Sequence, residues 1–584
     1  MIKCLLFPLL FGTVTCFSSS SSPSFPDRTD TNTIVTTTTT TTTTTNKPRP
    51  DATTVRQIQQ AQDSKLRQSH DQVAFNRLFC GVRERPNPIP LGDADHALPL
   101  DFPPGALLRL GPNMEGDTSA EGFLDGDGMV TCVTFPPPSS PSSSSTASWT
   151  YVDTRGRQLE RERGKVFRGT LGAVPQSWPM LGSLATNMVT FGTLQCQKDT
   201  CNTALAVSGN RILALMEQCP PSELTIYKDG RVATIQNNCL VDNGITPAPI
   251  TGGALSAHGR TTNGERIHVS YSSSTPPYVR VDIFEEGWKL KRSIPIDVPC
   301  PTMLHDCAVT DEFVVIFDFP LTLRTSRMVR NEFPVQYEPS YGARIGLQPR
   351  AATKDESIWF KVQPGVVLHA ANAFERSTDG GTKEVVVHVL RSEPDPKKSY
   401  LEEYASSFLY EYVLDPTTGK VIREECLNAE EVLEFPTINE NKCGQPADYV
   451  YCNSVGSIGG PLEVYKMPRI GLLLNGITKL SLRDDDATTK GSVLGKYTLP
   501  DRFFGVSEPT VVPKTSDQGG EYIVLVATYI PEGEHSWKDI PNERLFSRVI
   551  ILDGDTMEEV WSRDLPHHVN YGLHSEYVPW EMLK

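Results

Sequence analysis

Four of the eleven histidines in this 584-residue chain stand in small-residue or strand-edge settings. They are His258 in GALSAHGR, His305 in TMLHDCAVT, His369 in GVVLHAANAFE and His574 in NYGLHSEYVPW. Imidazole suits iron, zinc and copper. Four neutral imidazoles would leave the charge of a divalent ion uncompensated, and a ligating histidine ordinarily donates its second ring N–H to a carboxylate. Three glutamates sit in apolar or proline-flanked surroundings, where a solvated carboxylate is not the default: Glu217 in LALMEQCPP, Glu434 in VLEFPTINE and Glu508 in GVSEPTVV. Together they could hold one buried cation. The competing reading is that a histidine beside a strand is a satisfied core or rim residue and that a strand glutamate is exposed. From spacing alone, His268, His388, His567 and His568 are equal candidates. The gaps between the four, 47, 64 and 205 residues, exclude the i, i+4 pair of a helical metal site.

A distributed set of this kind needs a scaffold that converges. From about residue 105 the chain reads as short strands with turns: 211–218, 222–234, 266–273, 383–391, 521–530 and 547–565 alternate apolar residues and favour β-branched ones. Many short strands must hide their edges by closure or radial repetition. Roughly 480 residues at about 40–70 per blade suit a seven-bladed propeller, although no clean repeat is visible. Gaps of 47 and 64 are about one blade each, so successive blades could each send a histidine to the axis. The expected fold is all-β, a seven-bladed β-propeller with its site on the axis and a cap of loops and short helices. Only 57–79 has helical character, and PPPSSPSSSS (136–145) reads as a disordered hairpin insertion.

A net charge of −15 and the lack of a Lys/Arg cluster argue against nucleic acid as a partner. Thirteen cysteines, two of them (Cys4, Cys16) in the leader, leave an odd number without CxxC spacing, which favours free buried thiols. The stretch MIKCLLFPLLFGTVTC (1–16) has the form of a signal peptide, with Val14 and Cys16 at the −3 and −1 positions. Residues 17–68, opening with a Ser/Thr-rich, acid-poor tract that cannot bury a core, are expected to be a low-complexity presequence or disordered linker. A single catalytic domain is expected over 69–584. A signal peptide followed at once by Phe17 and a hydroxyl-rich tract resembles the bipartite presequence of secondary plastids; the alternative is ordinary secretion with a mucin-like stalk. No other segment has the apolar length of a membrane span.

The local words raise the metal reading above its rivals. LLRLGPNM (107–114), FLDGDGMV (123–130), KDTCNTALAVSGNRILALMEQCPP (198–221), MLHDCAVTDEFVVIFDFPL (303–321), HAANAFE (369–375) and LEFPTINENKCGQPADYVY (433–451) follow one another as in the carotenoid cleavage oxygenase family. That family includes stilbene cleavers and the retinoid isomerohydrolase of the eye, and the resemblance runs from about Leu91 to the C-terminus. It implies a seven-bladed propeller with one Fe(II) on its axis. Carried over motif by motif, the metal ligands are His258, His305, His369 and His574. The carboxylates behind them are Glu217 for His305, Glu434 for His369 and Glu508 for His574, and Thr203 is the threonine crowding the open metal position. The implied reaction is cleavage of a carotenoid or apocarotenoid double bond by O2 to two carbonyls. A related isomerase, isomerohydrolase or stilbene cleaver, or a non-catalytic lipid-binding propeller, are the alternatives. The charge-free stretch 174–192 lies where the family contacts membrane, with a buried segment or lid as the other reading. Three departures stand out: Gly259 where Pro is usual after the first histidine, Cys307 for Phe, and Ser575 for Gly.

Overall fold

Each of the six strand-like segments of the sequence forms antiparallel strands in the computed structural model. The structure describes residues 49–584 except 70, 93–96, 115–122, 139–143, 169–176, 192–196, 218, 241–254, 274–275, 379, 399–403, 459–460, 463–466, 469–470, 485–487, 517–518 and 533–536. The expected signal peptide, and most of the hydroxyl-rich tract after it, lie outside the described residues.

The strands assemble into seven blades. Four are separate four-stranded sheets, starting from Ala204–Ser208, Gly259–Thr262, Ala308–Val309 and Val366–Ser377. A nine-stranded sheet contains two more, one starting from Leu433–Thr437 and one from Thr510–Pro513, joined through Gly505 opposite Leu474. The remaining blade is built from both ends of the chain. Ser575–Pro579 pairs with Gly105–Asn113, from Arg109 opposite Ser575 to Gly105 opposite Pro579. This closure leaves no open edge where the ring meets. The innermost strands then stand side by side: Ser575–Pro579 touches Ala204–Ser208 and Thr510–Pro513, and Val366–Ser377 touches Ala308–Val309 and Leu433–Thr437.

Between blades the sheets pack face to face through β-branched and aromatic residues. Val315, Ile345, Leu347, Val387, Leu414 and Leu474 are all fully buried in one such layer. Each contributes about 1.5–3 kcal/mol by leaving water. The turn Lys228-Asp229-Gly230 closes a hairpin between Cys219–Ile226 and Val232–Gln236, with Gly230 at φ 94°. Asp127–Phe135 and Thr146–Tyr151 pair across the proline/serine insertion, so that insertion is a hairpin connection and not a domain linker.

The helical segment read at 57–79 is two helices, Ala52–Gln68 and Gln72–Leu78, because Asp71 caps the second through Ala74 N–H at 2.9 Å. The first belongs with the propeller. Asp51–Lys584 is one compact unit, Val55 and Leu66 enter its core, and Arg56 pairs with Glu393 at 2.8 Å. The helix Ala52–Gln68, ahead of the expected start at residue 69, thus packs within this unit. Two further helices had no periodic signal. Arg155–Arg163 has Leu159 as its single large apolar side chain, and Ser177–Phe191, inside the charge-free stretch, has no charged residue to mark an outer face. Among the described residues all ten cysteines are free thiols, and no helix is long and apolar enough to cross a membrane.

Candidate metal centre

Each innermost strand carries one of the residues singled out in the sequence at or near its start. Thr203 precedes Ala204–Ser208, His258 precedes Gly259–Thr262, His305 lies ahead of Ala308–Val309 and His574 precedes Ser575–Pro579. His369 and Glu434 lie within the first turns of pairing of Val366–Ser377 and Leu433–Thr437, and Glu508 stands two residues before Thr510–Pro513. Glu217 comes from the second strand of its blade, just after Met216. Seven strands converging on one axis thus bring together residues up to 371 positions apart (574 − 203).

The nitrogens of His258, His305, His369 and His574 lie within 4.8 Å of one another. Nε2 of His258 and of His305 are 3.0 Å apart, and the ring of His369 is centred 5.3 Å from each of the other three. Nδ1 of His369 meets Glu434 Oε2 at 2.8 Å, and Nδ1 of His574 meets Glu508 Oε2 at 3.1 Å. Nδ1 of His305 approaches Glu217 Oε1 at 2.5 Å, as an ion-pair contact without hydrogen-bond alignment. With Nδ1 so engaged, these three rings have Nε2 left to offer. Nε2 of His369 is buried without a hydrogen-bond partner. His258 is fixed through its backbone instead: its N–H donates to Ser256 Oγ at 3.2 Å, and that hydroxyl donates to the His305 carbonyl at 3.2 Å.

A divalent cation fits this set. An ion with bonds of about 2.1 Å puts neighbouring donors at right angles about 3 Å apart, as His258 and His305 are. It would also satisfy the orphaned His369 nitrogen, which is costly to bury unpaired. Burial, with the neighbouring His574, His305 and His369, drives His258 well below the ordinary histidine range, so it is neutral as a ligand must be. Burial also lowers His574, against the pull of Glu508. At His305 burial is outweighed by Glu217 and the net shift is upward. Burial works against ionisation of Glu434 and Glu508, but His369 and His574 beside them hold both carboxyls below their usual value.

The rival histidines stand elsewhere. His268 is fully buried with Nδ1 3.0 Å from the Ser256 carbonyl. His388 Nε2 pairs with Glu411 Oε2 at 3.0 Å inside another blade. His568 is buried and pushed down to about 3 by burial and by Arg77 and His567. Thr203 donates its hydroxyl to Asn202 Oδ1 at 3.1 Å, and its N–H meets the Leu215 carbonyl, two residues ahead of Glu217.

Three residues escaped the sequence reading. Tyr271 donates to Glu217 Oε2 at 2.6 Å, Tyr404 donates to Glu434 Oε1, and Phe435 lays its ring 5.3 Å from His369 and 5.4 Å from His574. Phe435 has φ 52°, which lets its N–H turn back to Glu434 Oε2 at 2.8 Å. Nothing in local sequence marks Tyr271 or Tyr404. Phe435 was within reach, since it follows Glu434 in an apolar word.

The sequence model of the retinal pigment epithelial membrane protein family matches residues 83–579. The chain belongs to the carotenoid cleavage oxygenase family. Like the family's curated members, it is an oxygenase. It is 27% identical over 505 residues to a carotenoid 9,10(9',10')-cleavage dioxygenase 1 of Phaseolus vulgaris, covering 82% of this chain and 85% of that one. It is also 27% identical over 517 residues to the apocarotenoid-15,15'-oxygenase of Synechocystis, covering 83% and 92%. A cobalt-substituted Synechocystis apocarotenoid oxygenase shares the fold with a TM-score of 0.66 at 22% identity, over 88% of this chain and 99% of that one.

Two of the three departures from the family words have local causes. Gly259 lies directly across the ladder from His268, and a Cβ at 259 would come within 2.4 Å of that ring. Ser575 gives its N–H to Glu508 Oε2 at 3.3 Å and its hydroxyl to Ser507 at 3.2 Å. Cys307 is fully buried, and nothing in its surroundings explains the exchange. The Asp-Gly-Asp-Gly turn is structural: Asp127 holds Arg157 at 2.8 Å and Lys198 at 2.7 Å, and Gly128 abuts the Cys201 carbonyl beside Thr203.

Proposed function

We propose that His258, His305, His369 and His574 hold one Fe(II), and that the enzyme uses O2 to cleave a carbon–carbon double bond of a carotenoid or apocarotenoid into two carbonyl products. The observation that carries this is the buried cluster of four histidine nitrogens backed by three carboxylates. When bound there, ferrous iron supplies redox chemistry with O2 without a reducing cosubstrate. Glu434 and Glu508 keep the Nδ1 protons of His369 and His574 in place, which fixes each tautomer and directs Nε2 inward, and Glu217 supplies the carboxylate beside Nδ1 of His305. Three carboxylates more than offset the charge of one dication, leaving a single net negative charge in place of an uncompensated cation. Phe435 walls off His369 and His574 from water. Thr203, at the head of the neighbouring strand, limits the space left beside the histidines.

The polyene is lipid-soluble, and the helix Ser177–Phe191 offers a contact with membrane. Trp178 and Val189 on it, with Val166 and Val329 beside it, are 62%, 75%, 73% and 58% exposed. Phe167 stacks on Phe191, and Met328 packs on Met180 and Leu184, which fixes the helix to its neighbours. The leader 1–16 and the tract behind it direct a catalytic body beginning near Asp51 to a plastid, in keeping with relatives described as chloroplastic.

The test is anaerobic loading with Fe(II), incubation with a panel of carotenoids and apocarotenoids in air, and identification of products by mass. Paired aldehydes or ketones are expected. Products of unchanged carbon number would replace cleavage by isomerisation.

A further inference from the structure

Three of the histidine-bearing strands belong to three separate sheets, starting at Gly259–Thr262, Ala308–Val309 and Val366–Ser377. Among the described residues no ladder of backbone hydrogen bonds joins these three sheets, so pairing within blades leaves the distances among His258, His305 and His369 unset. The carboxylates do not set them either, since each orients one ring.

One side-chain pair crosses both gaps. Arg260 Nη2 donates to Asp306 Oδ2 at 2.6 Å and to the Ala370 carbonyl at 2.8 Å. The same Asp306 oxygen accepts the Ala370 N–H at 2.9 Å, and its other oxygen accepts the Cys307 N–H at 2.7 Å. Arg260 is two residues past His258, Asp306 one past His305 and Ala370 one past His369. At about 3.3 Å of rise per residue, the tie lies within one or two residues of all three ligand positions. The Asp306 side chain is 1% exposed and that of Arg260 24%, so water screens the pair little. Ser256, donating to the His305 carbonyl, links the first two strands, and Arg260–Asp306 carries the link to the third.

We propose that the Arg260–Asp306 ion pair is a positioning device that fixes the mutual spacing of His258, His305 and His369, and thereby the affinity and geometry of the metal site. This rests on the reading of the four histidines as the metal-holding set. Arg260 and Asp306 are positioning residues that act through the strands carrying the histidines. Gly259 contributes by letting the strand lie flat against His268, which brings Arg260 to Asp306.

The probe is Co(II), followed by its visible spectrum and by its rate of release to a chelator. The wild type is compared with Asp306→Asn, Arg260→Met, Arg260→Lys and the double variant Asp306→Asn/Arg260→Met. Asp306→Asn and Arg260→Met should each speed release about 10–100-fold and shift the cobalt bands. Arg260→Lys keeps a cation but loses the planar guanidinium that meets two acceptors, and should release metal at a rate between those of wild type and Arg260→Met. The double variant should be no faster than the worse single one, as for residues acting as a unit. Thermal midpoints of the metal-free proteins report folding separately. Should Arg260→Met not fold, the near-isosteric Asp306→Asn carries the test. Wild-type release and bands in Asp306→Asn, or multiplying effects in the double variant, overturn the inference. A wild-type protein that takes up no stoichiometric metal overturns the proposed function instead.

Discussion

The phenol of Tyr271 donates to Glu217 Oε2 at 2.6 Å while Glu217 Oε1 lies 2.5 Å from Nδ1 of His305. Tyr404 stands in the same relation to Glu434 and His369. Each phenol anchors, by a charge-assisted hydrogen bond, the carboxylate whose other oxygen faces the histidine. Tyr271→Phe should therefore weaken metal binding about 10-fold, and Glu217→Gln about 10–100-fold, measured by competition with a chelator. Equal affinity in wild type and both variants would sink the relay.

Alanine at His258, His305, His369 or His574 should weaken metal binding by on the order of 100-fold or more, read by elemental analysis of purified protein. His388→Ala is the contrast. Its partner Glu411 is buried with Lys490 2.6 Å away, so the loss should appear as about 2–4 kcal/mol of stability with metal content unchanged. Metal loss in the His388 variant, or retention in any of the four, would reverse the assignment.

Acid should loosen one identifiable contact. Burial raises the Glu338 carboxyl, but the Thr322 hydroxyl, Arg324 and Arg327 more than offset it and hold it down to about 2, against 4.5 when unfolded. The folded state then binds fewer protons, so this contribution is complete above about pH 4.5 and is lost as pH falls towards 2. In urea unfolding between pH 5.5 and 2.5, wild type should lose stability more steeply than Glu338→Gln. Parallel curves would show that the contact contributes nothing.

Trp178→Glu and Val189→Glu should release the protein from liposomes and leave bound metal unchanged. Met180 is a poor choice for this test despite its place in the apolar stretch, because it is 2% exposed and packs on Leu184 and Met328. Undiminished pelleting of the double variant would place the contact on another surface.

A fusion of residues 1–70 to a fluorescent protein should enter the plastid after removal of 1–16, and Phe17→Ala should block entry. Fluorescence in the medium, or import of the Ala variant, would favour secretion or a simpler signal.

The sequence by itself determined the strands, because short apolar, β-branched runs bounded by turns, as in 266–273, 383–391 or 521–530, are a local property, and each run is buried along nearly its whole length. It also singled out the four histidines that the fold brings within 4.8 Å of one another, through the ordered words around His305, His369 and Glu434 and not through their spacing. What only the tertiary structure decided is whatever depends on ring closure. Tyr271 reaches Glu217 across 54 positions (271 − 217), and Arg260 reaches Asp306 and Ala370 across two blade boundaries. No local pattern records such contacts, since they exist only once separate sheets stand around one axis. The helix Ser177–Phe191 was hidden for the opposite reason: without charged residues its sequence carries no period, and its buried face was chosen by Met328 of another segment. Gly259 shows both limits together. Its departure from the usual proline is plain in the sequence, and its cause, the His268 ring across the ladder, is visible only in the fold.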